Sequence, residues 1–243
     1  MGCIRRFALA LALALTILTA PSSRAAEPVD LLLVLAADVS RSVDRTEFEL
    51  QRQGYAAAIA DPRVLAAIST GARARIAVTF VEWSGFGNQQ VVVGWTTIDG
   101  PQSAQAFGDR LLEAPRSFAD RTSISGGIDF SVELLKHAPF FAERQTIDVS
   151  GDGTSNSGRE VTAARDAALD LGININGLVI LSDRPLPWNP EHTHPPGGLA
   201  QYYRDNVTGG PGSFVIEAKD FNSFGEAIIK KLVAEIAFAV PPR

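Results

Sequence analysis

Short, nearly unbroken apolar runs alternate along this chain with stretches in which apolar residues return every three or four positions. The first run, residues 29–37, is interrupted only by Asp30. It is too continuous for a strand with one face in water and reads as a central strand buried on both faces. Further strands are predicted over 75–83, 90–95, 145–150, 173–181 and 213–218. The second and third flank Ser84-Gly85-Phe86-Gly87-Asn88, whose turn chemistry predicts a hairpin. Helical spacing predicts helices over 46–59, 103–112, 159–171 and 222–238, with shorter pieces at 64–68 and 199–207. Another helix, carrying Ile128, Val132, Leu134 and Leu135, follows a polar, glycine-rich loop at 120–127. Asp44 and Glu47 have the spacing of a capping box, and Gly172 is placed to close a helix. Strands alternating with helices predict an α/β fold. The expected form is a doubly wound, mostly parallel sheet of about six strands, with helices on both faces and one antiparallel edge strand.

The first 25 residues change the picture of where the chain works. Arg5 and Arg6 precede an apolar run from Phe7 to Ala20, and Pro21-Ser22-Ser23-Arg24-Ala25 follows. A charged start, a short apolar middle and small residues at the cut define a secretory leader. The expected organisation is a signal peptide at 1–25 and one domain at 26–243, exported to the periplasm of a Gram-negative bacterium or otherwise secreted. The paired arginines leave open whether export is general or twin-arginine. The apolar run is shorter than the roughly 20 residues of a spanning helix. The closing helix has a span's length but carries Glu226, Lys230, Lys231 and Glu235, so no stable membrane anchor is expected.

Cys3 is the single cysteine and lies in the leader, so disulfides, thiol catalysis and cysteine zinc sites are excluded from the rest. The leader holds three arginines and no acid, which leaves the remainder more acidic than the whole chain's net charge of −5. That balance argues against nucleic acid and anionic membranes as partners and is compatible with cation binding.

The predicted first strand ends in Asp38-Val39-Ser40-Arg41-Ser42, one carboxylate and two hydroxyls at alternate positions. Ligand sites of open parallel sheets lie at the carboxyl ends of strands, and hard oxygens suit Mg²⁺ or Mn²⁺. The same residue types are also preferred caps and turn formers, so this stretch alone decides little. Two later pieces complete a set: Thr122 in the loop at 120–127, and Asp152 in Gly151-Asp152-Gly153 after the fourth strand.

Together, Asp38-x-Ser40-x-Ser42, Thr122 and Asp152 resemble the von Willebrand factor type A domain with its metal-ion-dependent adhesion site. The similarity covers residues 29–238 and points to a bacterial, exported branch of that family. Two departures stand out: Asp120-Arg121 rather than glycine precedes Thr122, and Ser150-Gly151 rather than Thr precedes Asp152. The resemblance implies that Asp38, Ser40, Ser42, Thr122 and Asp152 hold Mg²⁺ or Mn²⁺. It further implies a protein-binding module whose metal captures an Asp or Glu carboxylate of a protein partner. The sequence says nothing of oligomeric state.

The alternative is a metal-dependent, phosphatase-like hydrolase using the same strand end. Phosphatases of the haloacid dehalogenase type carry Asp-x-Asp-x-Thr, and here Ser40 stands where the acid–base carboxylate would be. G-x-G-x-x-G after the first strand and G-x-S-x-G are both absent. His137 reads as a surface or packing residue; His192, His194 and Glu191 are the right types for a second metal, but the commoner meaning of their composition is a polar, proline-rich loop, here at 183–198. That loop is expected on the metal's edge of the sheet, with Trp188 as an anchor for the partner.

Overall fold

The computed structural model describes residues 26–117, 119–182 and 185–237. The proposed leader therefore lies outside the described residues, as does residue 183 at the start of the proline-rich loop.

Six strands form the main sheet: β1 (Leu32–Asp38), β2 (Ile76–Trp83), β3 (Gln89–Ile98), β4 (Gln145–Gly151), β5 (Asn174–Ile180) and β6 (Val215–Ala218). Their order is β3-β2-β1-β4-β5-β6, parallel throughout except for the antiparallel β2–β3 pair at one edge. The apolar run of β1 alternates between two cores. Leu33, Leu35 and Ala37 face one, and Leu32, Val34 and Ala36 the other. Burial on both faces is why this strand needs no polar alternation.

The first core is covered by α1 (Arg45–Ile59), α2 (Pro62–Ser69), α3 (Pro101–Glu113) and α8 (Phe224–Ala237). The second lies under α4 (Ile124–Lys136), α5 (Val161–Leu169) and α7 (Leu199–Asn206). α6 (Pro190–Thr193) is a single turn within the proline-rich loop, a piece that helical spacing did not announce. A two-residue parallel pair, Glu27–Pro28 with Phe140–Phe141, was likewise not predicted.

Helix ends follow the expected chemistry. Asp44 caps α1: its carboxylate accepts from Glu47 N at 2.9 Å, and Glu47 accepts from Asp44 N at 2.8 Å. Gly172, at φ 76°, takes the left-handed position after α5. The Gly172 N–H donates to Leu169 O and the Ile173 N–H to Ala168 O, the paired bonds of a Schellman ending. One expectation needs correction: Gly126 and Gly127 are not loop residues but lie in the first turn of α4. The helix packs here on Trp83, and a Cβ at Gly127 would stand only 3.0 Å from its indole. The glycine marks close helix–strand approach, not a loop.

Both neighbours of β1 in the sheet lead away from it in opposite directions, β2 to one side and β4 to the other. This is the switch point at which such sheets open a crevice beyond the strands' carboxyl ends.

Candidate metal centre

β1 and β4 run in register as far as Ala37 opposite Ser150, so Asp38 and Gly151 end the two strands side by side and Asp152 follows one residue on. Gly151 cannot be larger: a Cβ there would collide with Tyr203 Oη and stand 3.2 Å from Asp38 Oδ2.

A chain of short contacts links four of the five predicted residues. The Ser40 N–H donates to Asp38 Oδ1 at 2.7 Å, an Asx-type turn that swings the chain back over the strand end. The hydroxyls of Ser40 and Ser42 lie 2.9 Å apart, and Ser42 Oγ donates to Asp152 Oδ1 at 2.7 Å. Thr122, almost fully buried, comes from the loop before α4 and shares a cavity of about 200 Å³ with Ser42. Asn156 holds its backbone on one side: Thr122 N donates to the side-chain Oδ1 of Asn156, and Asn156 N donates to Thr122 O. On the other side Ser123 N donates to Ser84 O of the β2–β3 turn.

The electrostatics are those of two acids short of a cation. Burial, and next the nearby Asp152, push the Asp38 carboxyl well above the usual range. Burial raises Asp152 to about 6, against the pull of the Ser42 hydroxyl. Asp38 Oδ2 is buried and meets no hydrogen-bond donor among the described residues. A buried carboxylate oxygen without a donor is costly, which fits an oxygen reserved for a cation.

Three supporting residues were not assigned to this site from the sequence. Arg116, between α3 and α4, donates through one terminal nitrogen to Val39 O, Ser40 O and Val43 O at 2.8, 3.2 and 2.9 Å. It pins the loop that carries both serines. Arg116→Met is expected to speed amide hydrogen exchange across residues 39–43 and to cost about 1–3 kcal/mol, since charge-assisted bonds to carbonyls are lost. Unchanged exchange there would contradict the clamp. Tyr203, from α7, is fully buried beneath Asp38 and Asp152, and both acids raise its hydroxyl's pKa further after burial.

The third residue is His192 of α6, only 4% exposed. Its Nε2 lies 3.4 Å from Thr122 Oγ1 and its Nδ1 3.4 Å from Thr154 Oγ1. The glycines on both sides of Asp152 were the legible trace of these neighbours: Gly151 admits Tyr203, and Gly153 lies against the His192 ring. His194 turns elsewhere, with Nδ1 2.9 Å from Thr193 Oγ1, and His137 is exposed at the C-terminal end of α4. No cluster of three or more His, Asp, Glu or Cys that could hold a metal occurs among the described residues, so the second metal cluster is not formed there. The proline-rich loop does stand at this edge: Leu186, Trp188, Asn189 and His192 line the same cavity as Ser42 and Thr122.

Residues 28–240 match the family described as "Protein of unknown function (DUF1194)". No curated protein matches the chain. Solved structures resemble it in fold. Proximal thread matrix protein 1 from the mussel byssus is 10% identical with a TM-score of 0.64, over 86% of this chain and 48% of that one. A second structure of that protein, at TM-score 0.56, is described with a zinc-occupied MIDAS motif. The pilus adhesin SpaC from Lactobacillus rhamnosus GG is 13% identical at 0.59, over 86% of this chain and 30% of that one. The von Willebrand factor type A protein from Catenulispora acidiphila is 14% identical at 0.57, over 86% and 43%. The chain thus spans less than half the length of each of these solved chains. With the switch-point crevice, the antiparallel edge and residues 28–240 all accounted for, the chain belongs to the DUF1194 family and has the fold of a von Willebrand factor type A domain.

Proposed function

We propose that this protein is an exported, divalent-metal-dependent binding module. In this reading Asp38, Ser40, Ser42, Thr122 and Asp152 hold Mg²⁺ or Mn²⁺. The observation that carries it is the buried Asp38 Oδ2, which lacks a donor in the crevice where the Ser40, Ser42 and Asp152 oxygens are linked at 2.7–2.9 Å. The residues fit the ion: two carboxylates supply charge and three hydroxyls supply neutral oxygen, the donor set that Mg²⁺ and Mn²⁺ prefer. The zinc-occupied motif of the mussel protein supports a divalent ion on this fold. Bound there, the metal would supply a positive centre with room for one more anionic ligand, an Asp or Glu of a protein partner.

This chain's own residues would do the rest. Arg116 keeps the serine loop in place, and Thr122 is fixed between the β2–β3 turn and the loop after β4. Trp188, 76% exposed at the cavity's rim, offers the partner an aromatic anchor. Prolines on both sides of it reduce the entropy lost on binding.

The test separates metal from partner. Asp152→Ala should abolish the rise in melting temperature that Mg²⁺ or Mn²⁺ gives over chelator, and with it the metal-dependent capture of a partner from the exported fraction. Trp188→Ala should keep the melting rise and weaken capture about tenfold or more, the scale of an aromatic anchor. An equal metal response in Asp152→Ala would sink the site. Metal-dependent turnover of p-nitrophenyl phosphate that Asp152→Ala abolishes would favour the hydrolase alternative instead.

A further inference from the structure

The two loops that carry the ligand hydroxyls also carry an arginine each. Arg41 lies between Ser40 and Ser42, and Arg121 directly precedes Thr122, in place of the glycine of the family pattern. Both line the cavity of about 200 Å³ that Ser42 and Thr122 share. We infer that this cavity takes an acidic segment with two carboxylates close together, one for the metal and the second for Arg41 and Arg121. The inference rests on the metal reading above and adds the chemical class of the partner.

The first argument is charge. A divalent ion between Asp38 and Asp152 is balanced by those two carboxylates, so the centre alone offers an arriving acid little net attraction. The chain as a whole carries −5 and repels an acid at long range. The two guanidinium groups are what makes the cavity positive, and the one carboxylate set against them there is Asp120. Charges placed this way speed the encounter with a partner of opposite sign and reject the wrong one.

The second argument is that Asp120 is already engaged. Its Oδ2 accepts from Asn88 Nδ2 at 3.0 Å, while its Oδ1 stands 3.7 Å from Arg41 Nη2. That separation exceeds a hydrogen bond, and the two side chains are 75% and 40% exposed. An exposed pair of this kind contributes little, so Arg41 can leave Asp120 for a closer acid at small cost. Arg121 is exposed and forms no side-chain ion pair among the described residues.

The third argument is position. The Arg41 N–H donates to Asp120 O at 2.9 Å, which joins the serine loop to the loop that carries Arg121 and Thr122. Both arginines are thus held on linked backbone next to ligand residues. A guanidinium fork matches a carboxylate in shape as well as charge.

Labelled, amidated decapeptides of glycine and serine test the assignment by fluorescence anisotropy in saturating Mg²⁺ or Mn²⁺. They carry no aspartate, one, or two a few residues apart. The best two-acid peptide should bind about fivefold more tightly than the one-acid peptide, the upper range of an exposed ion pair, and the gap should narrow in high salt. Arg121→Gln should lose most of that gap and Arg121→Lys should keep part of it. A melting temperature that still rises with metal shows that each variant is folded with its metal centre intact. Equal affinity for one and two acids would overturn the inference, as would a gap that Arg41→Gln and Arg121→Gln both leave unchanged. Failure of every peptide to bind, in a protein that still responds to metal, would also overturn it and leave the metal reading standing. Two-acid binding that persists in chelator and in Asp152→Ala would remove the metal reading and this inference with it.

Discussion

Lys231→Met is expected to destabilise the protein by about 3–5 kcal/mol, read as a lower urea midpoint with an unchanged slope. Lys231 lies on α8 and is fully buried. Its ammonium stands 2.8 Å from Asp148 Oδ1 of β4 and pairs with Glu235 one turn further along the helix. Asn176 donates to Glu235 Oε1 at 2.9 Å, whereas Asp148 meets no donor among the described residues besides that ammonium. The single ammonium is therefore what makes two buried carboxylates tolerable. Without it, one of them must take a proton or the helix must shift.

The pH dependence has a definite sign. Burial raises the Asp148 carboxyl from 3.8 to about 7, with Lys231 pulling it down and Glu235 pushing it up. A folded pKa above the unfolded one means stability that is present in acid and lost as pH rises through about 7. The methionine variant lacks the cation that limits this loss, so its deficit should be larger at pH 8 than at pH 5. Replacing all three charges together, as Asp148→Val, Lys231→Met and Glu235→Leu, should recover most of the loss, because no charge is then left buried alone. A Lys231→Met protein as stable as its parent at pH 8 would contradict the account.

How far the sequence reached depends on what kind of contact holds each part. The sheet was legible because β1, β2, β4 and β5 are apolar runs buried on both faces, and runs of that kind have few other homes. Helix ends were legible where a local rule governs them, as at Asp44 and Gly172. Asp38, Ser40, Ser42 and Asp152 could be named because each follows directly from a strand end, and the structure links them through hydrogen bonds. Arg116 could not be named, because its three carbonyl partners lie more than 70 residues away in sequence. The Lys231–Asp148 pair was hidden for the same reason: a lysine in a closing amphipathic helix looks like a surface residue until the strand beneath it is known. His192 sat in view but in the wrong company, grouped with His194 and Glu191 by sequence proximity. The fold instead places it against Thr122 and Thr154.

Asp38→Asn should reverse the order of stability between metal-free and metal-loaded protein. Without metal, the parent holds Asp38 and Asp152 together in a buried crevice, where burial raises both carboxyls and the Asp152 charge raises Asp38 further. The asparagine keeps an oxygen for the Ser40 N–H, now bonded at 2.7 Å to Asp38 Oδ1, and removes the charge. An unsatisfied buried polar group costs about 1–3 kcal/mol, and more when charged. Recovering about 1 kcal/mol raises the melting temperature of a chain this size by roughly 2–4 °C. In chelator at pH 8 the variant should therefore melt above the parent. At pH 4, below the raised value of about 6 for Asp152 and the raised Asp38, both acids are neutral in the folded state and most of the advantage should vanish. Metal reverses the comparison. At a hundred times its dissociation constant a bound ion adds about 2.7 kcal/mol to the parent. The variant, without the carboxylate oxygen that faces no protein donor, should gain none of it. Scanning both proteins with chelator and with saturating Mg²⁺ or Mn²⁺ would show the melting curves exchange order. An asparagine variant that melts below the parent in chelator at pH 8 would show that the buried charge is not a liability. One that keeps the metal's full stabilisation would remove Asp38 from the ligand set.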